Sequence, residues 1–191
     1  PKPDKLGFTR VIERQALGIV LVIAPWNYPF LTAVNSIAPA LIAGNAVILK
    51  HSTQTLLAGE RMAKAMEVAN LPQGLFANLH LSHAQTESIL TERKVNHCNF
   101  TGSVEAGRRI ERAAAGTFTT FGLELGGKDP AYVREDANLA YAIENIVDGA
   151  FFNSGQCCCG IERIYVHERH FDAFVEGAVA LTNKYVLGNP L

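Results

Sequence analysis

The chain has 191 residues, enough for one full domain and part of a second. Apolar residues are 48% of it and charged residues 18%, so it can build a substantial core; 17 basic against 18 acidic side chains leave a net charge of -1, which gives no electrostatic case for nucleic acid or an anionic membrane. The longest apolar run, residues 18–25, is of strand length and too short to span a bilayer.

The N-terminus, Pro1-Lys2-Pro3-Asp4-Lys5, has no apolar stretch behind its basic start, so no signal peptide is expected, and both chain ends read as cut from something longer. Four cysteines are present: Cys98, Cys157, Cys158 and Cys159. Neighbouring cysteines bridge each other poorly, and no CxxC or HxxxH spacing suggests a metal. A disulfide framework is therefore not expected, and a reducing, cytoplasmic location fits the pattern.

In chain order, short β runs alternate with helical periodicity. Residues 17–24 read as a continuous apolar strand stopped by Pro25, and residues 30–43 as an apolar helix closed by Gly44-Asn45. Residues 46–50 form a second strand. Residues 55–69 follow as a helix with Leu56, Leu57, Met62, Ala63 and Met66 on one side. A short strand at 75–81, a short helix at 84–91, a strand at 95–100, a helix at 104–115 and an extended stretch at 117–125 complete the first part. Strands apolar throughout, in strict turn with helices, predict a parallel sheet covered on both faces. Three segments then fall at strand ends on one edge of that sheet: Pro25-Trp26-Asn27, Lys50-His51-Ser52 and Thr101-Gly102-Ser103. After residue 125 the pattern changes to a long helix at 139–153, a strand at 163–167 and a helix at 171–186. Residues 1–125 thus read as one domain and 126–191 as the incomplete start of another α/β domain.

Two motifs carry chemistry. Glu124-Leu125-Gly126-Gly127-Lys128 sets a carboxylate beside a glycine pair, and Gly155-Gln156 leads into the three consecutive thiols. With the amide of Asn27 in a turn between two prolines, the chain offers a base, a nucleophile and an amide donor, the three parts of thiol-based acyl chemistry. No GxGxxG is present. Phe100-Thr101-Gly102-Ser103-Val104-Glu105-Ala106-Gly107 instead joins a strand to a helix, and reads equally as a phosphate cradle or as a turn with Ser103 as N-cap.

Together these residues resemble the aldehyde dehydrogenase superfamily, from about residue 17 to the C-terminus. The resemblance rests on Pro25-Trp26-Asn27-Tyr28-Pro29, Lys50, Phe100-Thr101-Gly102-Ser103, Glu124-Leu125-Gly126-Gly127-Lys128 and Gly155-Gln156-Cys157-Cys158, in the family's order. It implies a Rossmann-like cofactor domain followed by a catalytic domain, with aldehyde oxidation to the acid by NAD or NADP. Cys158 is then the nucleophile, through a thiohemiacetal and a thioester. Glu124 is the general base and Asn27 the oxyanion donor. Ile23, Pro25, Trp26, Lys50, Ser52, Thr53, Gly102, Ser103, Gly107, Leu125 and Gly126 line the cofactor. No metal is implied, and full-length relatives are expected to be homo-oligomers.

Each residue also has a plainer reading. Lys50 is a solvated lysine after a strand, Glu124 a partner of Lys128, and Asn27 a residue that satisfies its own turn. Cys157 and Cys159 are expected as small buried apolar side chains, and Cys98 as core. The chain departs from the family at two neighbouring positions. His51 stands where proline is frequent and reads as a solvent-facing loop histidine. Thr53 stands where a ribose-binding glutamate is frequent, which leaves the choice between NAD and NADP open. The upstream family segment and the later half are missing, so the chain reads as a fragment with weak or no turnover by itself. The alternatives are the branch that passes the acyl group to coenzyme A, against which Glu124 argues, and a non-catalytic module that keeps the fold.

Overall fold

The computed structural model describes residues 7–189. The readings made on Pro1-Lys2-Pro3-Asp4-Lys5 and on the last two residues lie outside the described residues. The chain divides into two compact units between Leu125 and Gly126.

The first unit is a five-stranded, fully parallel sheet with strand order β3-β2-β1-β4-β5. Its elements are β1 (Ile19–Ala24), α1 (Pro29–Ile42), β2 (Ala46–His51), α2 (Leu56–Val68), β3 (Phe76–Asn78), α3 (His83–Thr91), β4 (His97–Gly102), α4 (Val104–Ala114) and β5 (Thr120–Leu125). The unbroken apolar run of β1 follows from burial on both faces. Val20, Val22 and Ala24 pack with Ala33, Ile37 and Ala40 of α1 and Met62 of α2. Leu21 and Ile23, one residue out of phase, pack on the other face with Leu90 of α3 and Ile110 and Ala114 of α4. Cys98 lies fully buried in that second layer, as expected, and burial pushes its thiol up to about 12.

Two asparagines pin the entry to β1. The Asn45 Oδ1 accepts from the N–H of Leu17 at 2.6 Å and of Gly18 at 3.0 Å, and Asn96 Oδ1 accepts from Ile19 N–H at 2.8 Å. The chain fills the sheet from β1 outward to β3, then crosses back to β4 beside β1. Doubly wound sheets hold ligands at such a reversal, outside the carboxyl ends of the strands.

The second unit contains β6 (Asp129–Val133), α5 (Leu139–Phe151), β7 (Ile161–Val166) and α6 (Phe171–Thr182), with β6 and β7 paired in parallel. The sequence reading had no strand at 129–133. Pro130 lowers its strand signal, and the register slips between Asp129 and Pro130. The predicted strand at 75–81 is confined to three residues. The predicted helix at 139–153 ends at Phe151, where the backbone turns left-handed at Asn153 and Ser154.

Candidate active site

At the carboxyl edge of β1 the chain leaves the sheet after Ala24 and turns through Pro25-Trp26-Asn27-Tyr28 into α1. Pro29 occupies the first helical position, where its missing N–H costs nothing. Asn27 and Pro25 are half-buried, and Trp26 is exposed.

At the end of β2 the structure rules out the plainer reading of Lys50 and corrects the expectation for His51. Lys50 is not a solvated lysine: it is only 6% exposed, inside the strand. Burial lowers its pKa, and among the described residues it has no carboxylate partner. His51 is not a solvent-facing loop residue either: it is 1% exposed and is the last residue of β2. The rest of the segment is open. Ser52 is half-buried and accepts from the Gln54 N–H, and Thr53 is exposed at the start of a short 3-10 turn.

A cleft of about 60 Å³ lies beside Lys50 and Ile23, walled by Phe100, Ala106 and Ile110. Thr86 and Glu87 of α3 and Arg109 of α4 also line it. The Arg109 Nη2 binds Glu87 at 2.5 Å across the two helices. Sequence reasoning missed these three residues. Their only prior signal was an acid and a base, one on each predicted helix.

Between β4 and α4 the Ser103 hydroxyl accepts from the Ala106 N–H at 3.2 Å, so Ser103 caps the helix. Gly102 and Gly107 are packed close. A Cβ on Gly102 would stand 2.7 Å from the Phe100 ring, and one on Gly107 2.6 Å from Leu125 Cδ2. A buried unpaired cation, an adjoining apolar slot and a capped helix start with no side chain at Gly102 together fit a nucleotide cofactor with an anionic end.

Glu124 is exposed on edge strand β5, in register with Thr101 of β4, and Leu125 pairs with Gly102. Lys128 pairs with Glu162 of β7, and among the described residues Glu124 makes no ion pair. Gly126 is exposed and opens the second unit.

In the second unit, Asn153, Ser154 and Gly155 have φ of 51°, 58° and 73°. Three successive left-handed residues are strained for the two that carry side chains. The Gln156 N–H donates to the Asn153 carbonyl at 3.1 Å and the Gly160 N–H to the Cys157 carbonyl at 3.3 Å, which closes the thiols into a turn before β7. Cys158 is exposed at that turn. Cys157 is half-buried, and Cys159 is exposed rather than buried as expected. The sulfurs of Cys157 and Cys159 lie 3.3 Å apart. That hydrogen bond, followed by the charges of Cys157 and Cys158, raises the Cys159 pKa.

Residues 2–191 match the model of the aldehyde dehydrogenase family. The chain belongs to the aldehyde dehydrogenase family. It is 41% identical to the NADP-dependent glyceraldehyde-3-phosphate dehydrogenase of Streptococcus equinus, over 94% of this chain and 38% of that protein. It is 39% identical to the lactaldehyde dehydrogenase of Escherichia coli (strain K12), over 98% of this chain and 39% of that one. The crystal structure of an NAD-dependent aldehyde dehydrogenase from Sinorhizobium meliloti matches with a TM-score of 0.89 and 35% identity. It covers 93% of this chain and 36% of the other. This aldehyde dehydrogenase chain therefore spans under two fifths of the length of these relatives.

Proposed function

We propose that the protein oxidises an aldehyde to the carboxylic acid with NAD or NADP, and that residues 1–125 form its cofactor domain and 126–191 the first part of its catalytic domain. The observation that carries this reading is Cys158, an exposed thiol on a strained turn in a chain of this family.

The thiolate of Cys158 attacks the aldehyde carbon, and the carbonyl oxygen becomes an oxyanion. The Asn27 amide and the Cys158 backbone N–H hold that oxyanion; one such donor lowers a barrier by about 3 kcal/mol. The Cys158 adduct then gives up a hydride and becomes a thioester; NAD or NADP, when bound, would supply the hydride acceptor. Glu124 then takes a proton from water, which attacks the thioester, releases the acid and restores the Cys158 sulfur. Lys50, Ser52 and Thr53 would hold the ribose or 2′-phosphate end of the cofactor, with Ile23, Pro25 and Trp26 beside them. Gly102, Ser103 and Gly107 would hold its phosphates, and Leu125 and Gly126 would line the rest of its site. Thiols kept reduced in a compartment such as the cytoplasm suit this chemistry.

Pre-steady-state kinetics on Glu124→Gln and Cys158→Ser tests the scheme. Cys158→Ser should abolish NAD(P)H formation. Glu124→Gln should keep a stoichiometric burst and slow turnover by about 100-fold. Equal loss of the burst in both variants removes Glu124 from the deacylation step, and acyl-CoA as the product in place of free acid overturns the hydrolytic reading.

A further inference from the structure

His51 is the part of the β2 strand end that the proposed chemistry leaves unused. Among the described residues it is the only buried histidine. Its Nε2 lies 2.9 Å from the Pro29 carbonyl oxygen, and its Nδ1 lies 3.0 Å from Thr55 Oγ1. A carbonyl can only accept, so Nε2 carries the proton, and Nδ1 accepts from the Thr55 hydroxyl. The ring is a two-ended connector between segments that meet nowhere near each other in sequence. One end grips the first residue of α1, where the Pro25–Pro29 turn closes; Tyr28, the cap residue, makes no side-chain capping bond there. The other end grips the residue just before α2, at the close of the 3-10 turn that follows Lys50 and Ser52. In the ladder His51 also stands opposite Ala24, the last β1 residue before that first turn.

We propose that His51 is a positioning residue that fixes the turn bearing Asn27 against the Ser52–Thr55 segment, so that the oxyanion-donor turn and the ribose end of the sheet share one geometry. Its kinetic consequences rest on the dehydrogenase reading; its structural consequences do not.

Hydrogen exchange and steady-state kinetics on the intact protein test it with two variants. His51→Leu fills the space and bonds to neither segment. His51→Gln keeps an N–H that can reach the Pro29 carbonyl. In His51→Leu, amides of residues 26–32 and 53–58 should exchange at least about 10-fold faster, while α4 keeps wild-type rates. The kcat should fall about 10- to 100-fold, with the aldehyde KM within about threefold, as for a misplaced catalytic group. His51→Gln should restore protection at 26–32 and most of kcat, leaving 53–58 faster. Uniform acceleration across the sheet, acceleration of 53–58 alone in His51→Leu, or an unchanged kcat in that variant of an active protein overturns the inference. If the wild type oxidises no aldehyde, the dehydrogenase reading fails and the exchange pattern alone decides. If His51→Leu does not fold, the His51→Gln pattern decides, and its failure to protect 26–32 rejects the connector.

Discussion

Lys50 and His51 are adjacent, both buried, and handled in opposite ways. His51 has a partner on each nitrogen; Lys50 adjoins a largely apolar slot and, among the described residues, forms no ion pair. Burying an unpaired ammonium is costly, and binding sites retain such costs because the ligand removes them. Lys50→Met should therefore stabilise the unliganded protein by about 1 kcal/mol, read as a rise in Tm, while weakening NADP binding at least 10-fold by titration. His51 gives a pH signature. Burial holds its pKa below the ordinary 6.5; the Pro29 carbonyl opposes that shift and the Lys50 charge adds to it. As pH falls below about 6.5 the unfolded chain takes up a proton that the folded one refuses. Stability then falls by up to about 1.4 kcal/mol per pH unit until the folded pKa is reached. Urea midpoints at pH 7.5 and 5.5 should show this loss in the wild type and a smaller one in His51→Gln.

The glycines of the β4–α4 junction belong to the scale of elements. Gly107 lets α4 lie against Leu125, and Gly107→Ala forces a Cβ onto a Leu125 methyl. Overpacking of this kind costs about 1–3 kcal/mol, to be measured by chemical unfolding, and should displace the end of β5 that carries Glu124. Most elements were legible from the sequence, because β1, β2 and β4 and the helices between them follow periods that burial on two faces imposes. What was not legible depended on distant partners. His51 looked like a loop residue because its acceptor, the Pro29 carbonyl, lies 22 positions away. Lys50 was singled out for the cofactor, but its burial was not legible because a lysine at a strand end is usually solvated. Strand β6 was hidden by Pro130, and left-handed Asn153 looked like the last residue of a helix. The motif residues Gly102 and Ser103 were found at the strand end where they were sought.

For the molecule as a whole, the two units differ in how fully they bury themselves. The first has a core on both faces of its sheet. The second leaves Tyr132, Ile164, Tyr165, Val175 and Val179 exposed and, among the described residues, buries only Val133, Val147 and Phe174 of its large apolar side chains. Residues 1–125 produced alone should unfold cooperatively with a single calorimetric transition. Residues 126–191 alone should bind a hydrophobic dye and self-associate, read by fluorescence and light scattering. Among the described residues no helix is long and apolar enough to cross a membrane.

The reversal of strand order at β1 has a consequence for how such a scaffold diversifies. The loops after β1, β2 and β4 each hang from their own rigid strand, so the sheet can stay constant while one loop is rewritten. On the proposed function, a change of nucleotide preference would need only a local edit around Thr53, whereas a change of aldehyde would draw on other stretches of polypeptide. The two specificities can drift independently.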